Sequence, residues 1–63
     1  MKNITLLNTN WFVHSANIDF FNNVWILNVK TTSGYKDDWF KTLRGAKIGF
    51  TRNFFKGAIW KEV

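Results

Sequence analysis

The alternation on either side of Asn22-Asn23 limits what this chain can fold into more than any other feature. A two-residue turn there sets Phe20 against Trp25, Ile18 against Leu27 and Ala16 against Val29, all on one face. The other face then carries Phe21 with Val24, Asp19 with Ile26, Asn17 with Asn28, and Ser15 with Lys30. One face is apolar and the other mostly polar, as a half-buried antiparallel hairpin requires. Asparagine tolerates the positive φ of a tight hairpin turn. The pattern predicts a hairpin over residues 11–31, with His14 on its apolar face.

A hairpin alone is marginal in water, so the rest of the chain must cover it. The chain is one domain, residues 1–63, and its length allows burial of only about 60% of the surface the unfolded chain exposes. It has no cysteine and a single histidine, so neither a disulfide nor the usual His/Cys metal cluster holds it together. Aromatic packing must supply the stability: the chain has four Trp, seven Phe and one Tyr. Trp25, Trp39, Phe20, Phe40 and Phe50 are the expected core rings. Trp11, Phe21 and Phe55 do not fit the core pattern.

Turn-type dipeptides recur at Asn22-Asn23, Ser33-Gly34, Arg44-Gly45 and Lys56-Gly57, a spacing that suggests a small β meander or barrel. A third plain strand after Ser33-Gly34 would put Lys36 and Asp38 on the core face, where unpartnered charge is costly. Residues 37–44 instead read as a short helix, capped by Asp37 or Asp38, with Trp39, Phe40 and Leu43 on one face and Gly45 ending it. Alternation then resumes at Ala46, Ile48 and Phe50, with Lys47, Gly49 and Thr51 on the other side. A final strand over residues 58–63 follows Lys56-Gly57, with Arg52 facing Glu62 and Phe54 facing Trp60. The expected fold is mainly β: a small antiparallel sheet or half-open barrel of SH3-like or OB-like shape, ordered hairpin, short helical turn, hairpin.

Signatures of catalysis are absent from the sequence. His14 and Asp19 fall on opposite faces of the hairpin and do not converge as a base and its orienter. Asp37 and Asp38 are adjacent, so their side chains point apart. The glycines match no phosphate-loop spacing. No enzyme activity, metal or cofactor is expected. Helix capping accounts for Asp37 better than acid–base chemistry does, and packing at a sheet end accounts for His14.

Charge is the feature that points outward. The net charge is +5, and the stretch from Trp39 to Lys61 carries Lys41, Arg44, Lys47, Arg52, Lys56 and Lys61 with no acid, interleaved with rings. Such a run attracts a polyanion. Rings on a basic surface stack on unpaired bases. The expected partner is single-stranded DNA or RNA, met by Lys41, Arg44, Lys47, Arg52 and Lys56 for phosphates and by Trp11, Phe55 and Trp60 for stacking. The second reading is an acidic host protein. The Asn-, Lys- and Phe-rich, Pro-free composition suits a phage or mobile-element product that docks on one host target. A membrane-active cationic peptide ranks third, because the strongest periodicity is two rather than helical. The first residues hold only a short near-apolar run, too short for a secretory signal or a membrane span, so a cytoplasmic location is expected.

Overall fold

Asn22 and Asn23 both adopt left-handed backbone, with φ of 55° and 64°, and the chain reverses on them as expected. This is a computed structural model, and it describes residues 3–62. Met1, Lys2 and Val63, the last being the end of the expected final strand, lie outside the described residues. The strands flanking the turn are β2 (Val13–Phe21) and β3 (Val24–Thr31). Their register matches the sequence pattern pair for pair: Phe20 opposite Trp25, Ile18 opposite Leu27, Ala16 opposite Val29.

One irregularity corrects the expectation for His14. The register shifts between Val13 and Ser15, so His14 is the extra residue of a bulge and is exposed. The bulge turns Val13 into the core in its place, fully buried.

The segment after Ser33 is a strand, not a helix. Strand β4 (Gly34–Phe40) pairs antiparallel with β3, setting Lys36 opposite Val29 and Asp38 opposite Leu27. Lys36 and Asp38 do share the core-side face, yet both are exposed because β4 is an outer strand of the sheet. An edge position removes the desolvation cost that argued against the strand.

The helix lies further on. Helix α1 (Leu43–Asn53) is capped by Thr42, whose Oγ1 accepts from the Gly45 backbone N–H at 2.9 Å. Neither Asp37 nor Asp38 caps it, and Gly45 sits in its first turn instead of ending it. Leu43, Ala46 and Phe50 fall at helical spacing and face the sheet, with Ala46 and Phe50 fully buried. The expected strand at 46–51 is therefore corrected: Ala46 and Phe50 are equally well i and i+4 of a helix.

The remaining strands are β1 (Asn3–Leu6) and β5 (Trp60–Glu62), which pair with each other. Trp60 faces Leu6 and Glu62 faces Ile4, which overturns the pairing of Glu62 with Arg52 and Trp60 with Phe54 as cross-strand neighbours. Strand β1 also pairs with β2, giving a five-stranded antiparallel sheet in the order β4-β3-β2-β1-β5. Among the described residues the fold is mainly β, one open sheet with a single short helix on one face.

Buried Ile4, Leu6, Val13, Ala16, Ile18, Leu27 and Val29 of the sheet meet Ala46 and Phe50 of α1 to form the core. Phe50 is its centre. Phe54, Phe55 and Trp60 stand around it at centroid distances of 5.0, 5.3 and 5.1 Å, the last two near-perpendicular. Phe20, Trp25 and Phe40 flank the core half-buried, whereas Trp39, expected inside, is 62% exposed.

Candidate nucleic-acid interface

The outer surface of α1 is cationic because of helical spacing. Arg44, Ile48 and Arg52 recur at i, i+4 and i+8 on the side away from the sheet, and all three are exposed. Lys47 and Thr51 form the neighbouring stripe, with the Thr51 hydroxyl donating to the Lys47 carbonyl at 3.1 Å. Lys41, just before the helix, and Lys56, just after it, are exposed at its two ends. The helix is about 16 Å long. Five cations are thus strung along one short rod and its flanks.

A groove of about 280 Å³ runs between this helix and the strand end, lined by Lys47, Ile48, Thr51, Arg52, Ala58 and Trp60. Three of the residues singled out from sequence, Lys47, Arg52 and Trp60, meet there. Asn8 fixes the groove's far wall. Its side-chain N–H donates to the Gly57 carbonyl at 2.9 Å, and its side-chain oxygen accepts from the Ile59 N–H at 2.8 Å. The Leu7 N–H to Ile59 carbonyl bond, 2.8 Å, completes the staple.

The other two rings singled out are elsewhere. Phe55 is half-buried against Phe50, so its role is in the core's rim. Trp11 is 82% exposed, held in a tight turn where Asn10 Oδ1 accepts from the N–H groups of Phe12 and Val13 at 2.9 and 2.6 Å. It does not line the groove beside the helix.

Most exposed rings lie on the sheet face that no helix covers. Tyr35 and Trp39 project there from β4 and Phe21 from β2, because alternate residues of each strand share a face. Lys30 Nζ stands 5.8 Å from the Tyr35 ring centroid. Between the rings is a polar patch centred on Asp19, whose carboxylate accepts from the side chains of Asn3, Asn17 (3.0 Å) and Asn28 (3.4 Å). Beside it, Val24, Ile26 and Trp39 line a groove of about 500 Å³.

Sequence reasoning missed Tyr35 and Trp39 as exposed rings. The available signal was the alternation Tyr35, Asp37, Trp39 against Lys36 and Asp38, which reads as a strand once an edge position is allowed. Among the described residues no cluster of three or more His, Cys, Asp or Glu is placed to hold a metal ion. No helix among them is long and apolar enough to cross a membrane. No protein-family model, curated protein or solved structure matches this chain, so its chemistry is read from its own side chains.

Proposed function

We infer that this chain is a non-enzymatic protein that binds nucleic acid through the outer face of α1 and the groove beside it. One observation carries the reading: Lys41, Arg44, Lys47, Arg52 and Lys56 line one helix and its flanks, with no acid in the sequence between Asp38 and Glu62. Phosphates are the ligand such a rod fits, since each cation that meets one releases a condensed counterion. Trp60 offers one half-buried ring at the groove, enough for a single stacked base. Most of the affinity is then electrostatic and tolerant of sequence.

The test is fluorescence anisotropy of labelled single-stranded and duplex oligonucleotides at several salt concentrations. If all five cations meet phosphates, log Kd changes against log salt with a slope of about 5 × 0.9, or ~4.5, for duplex and about 5 × 0.7, or ~3.5, for single strands. Absence of binding at about 50 mM salt defeats the reading.

Exposed Phe21 and Trp39, with half-buried Val24 and Ile26 beside them on the uncovered sheet face, favour a second reading, docking on a host protein. In that case Trp39→Ala abolishes partner binding while Arg44→Glu and Arg52→Glu leave it intact.

A further inference from the structure

We propose that β4 is a self-complementary edge through which two copies of this chain join their sheets into one. The strand is one of the sheet's two outer strands, the longer of them, and Gly34 through Trp39 are exposed. Its inner backbone groups are committed to β3. The tight turn at Asn22-Asn23 makes Phe21 and Val24 a hydrogen-bonded pair, so Val24, Ile26, Asn28 and Lys30 bond toward β2 and the alternate residues of β3 bond toward β4. Lys36 and Asp38, opposite Val29 and Leu27, therefore bond inward. The N–H and C=O groups of Tyr35, Asp37 and Trp39 point out toward the open edge; the Trp39 N–H donates to the neighbouring Asp38 Oδ1 at 2.8 Å, a local bond that pairing with another strand would exchange for a cross-strand one.

The side chains select the strand. An antiparallel copy related by a two-fold axis through Asp37 sets Tyr35 opposite the second copy's Trp39, and Lys36 opposite its Asp38, each twice. Backbone groups of residues 35, 37 and 39 then form three exchanged pairs, about six hydrogen bonds. Lys36 and Asp38 fall in the non-hydrogen-bonded positions, where facing side chains approach most closely. The two pairs form a square of alternating charge on the helix side, while the ring pairs lie on the uncovered face.

Other registers on the same face match poorly. Centring on Lys36 faces that lysine with itself, and centring on Asp38 faces Asp38 with itself and Asp37 with Trp39. Charged residues usually blunt a sheet edge against pairing. Here their order, ring-Lys-Asp-Asp-ring, is complementary to its own reverse except at Asp37, the one like-charge contact on the axis.

The experiment is sedimentation equilibrium of the full chain from about 10 µM to about 1 mM. A monomer–dimer equilibrium is expected. Lys36→Glu alone and Asp38→Lys alone each create two like-charge pairs and weaken the dimer about tenfold or more, with circular dichroism reporting that each remains folded. An equimolar mixture of the two variants restores opposite charge at both pairs and dimerises as the parent does. Asp37→Asn removes the repulsion on the axis and tightens the dimer. A monomer throughout the range, or a dimer indifferent to Lys36→Glu and unrepaired by mixing, overturns the proposal. The outcome is independent of nucleic-acid binding, which involves neither Lys36 nor Asp38.

Discussion

Gly49 lies directly against the ring of Phe40: a Cβ built at Gly49 would stand 2.6 and 2.7 Å from two of its carbons. This contact fastens the end of β4 to the middle of α1, and it requires the one residue without a side chain. Gly49→Ala should therefore destabilise the fold by about 1–3 kcal/mol, despite alanine's better helix propensity of about 1 kcal/mol. Chemical denaturation measures it. Combining Gly49→Ala with Phe40→Leu should recover part of the loss, since the smaller side chain vacates the space.

Phe50 is the ring around which three others pack. Phe50→Ala should cost about 3–5 kcal/mol, enough to unfold a domain of this size, while Phe50→Leu should leave it folded. Thermal melts followed by near-ultraviolet circular dichroism separate the two outcomes.

The Asn22-Asn23 turn depends on two residues with positive φ. Asn23→Gly should be neutral or stabilising, because glycine adopts that conformation without strain. Asn23→Val should cost about 1–2 kcal/mol. Equal stability of the two variants would contradict the turn.

Asn8 holds the segment that leads into β5. Asn8→Ala removes two hydrogen bonds, a loss of about 1–3 kcal/mol. Amide hydrogen exchange should report it locally: faster at Trp60–Glu62, unchanged in β2 and β3.

Arg44→Glu combined with Arg52→Glu should weaken oligonucleotide binding at low salt and lower the salt slope for duplex by about 0.9 for each lost contact. Lys30→Glu, on the opposite sheet face, serves as the control and should leave the slope unchanged.

The β2–β3 hairpin was legible because alternation and turn chemistry agree over every pair. The C-terminal half was misread for two physical reasons. Charges at Lys36 and Asp38 look forbidden on a core face, but at a sheet edge they keep their water. Ala46, Ile48 and Phe50 mimic a strand, although Thr42 followed by Leu43, Ala46 and Phe50 is the pattern of a capped helix. The β1–β5 pairing joins residues 58 apart in sequence, Ile4 and Glu62, and no local pattern predicts it. Of the candidate site, the cations were legible because charge is a property of composition. Their alignment on one helix was not, because it depended on that misread element. Trp39 was assigned to the core for the same reason, whereas Trp11 and Phe21, set outside the core pattern, are exposed.

The pairing of β5 with β1 also decides how the molecule answers a pull. Ile4 and Glu62 face each other, so a force drawing those two residues apart acts along the inter-strand hydrogen bonds and loads them one after another. The seam opens like a zipper at low force. The β2–β3–β4 meander, whose strands are joined by tight turns away from the point of traction, gives way only afterwards.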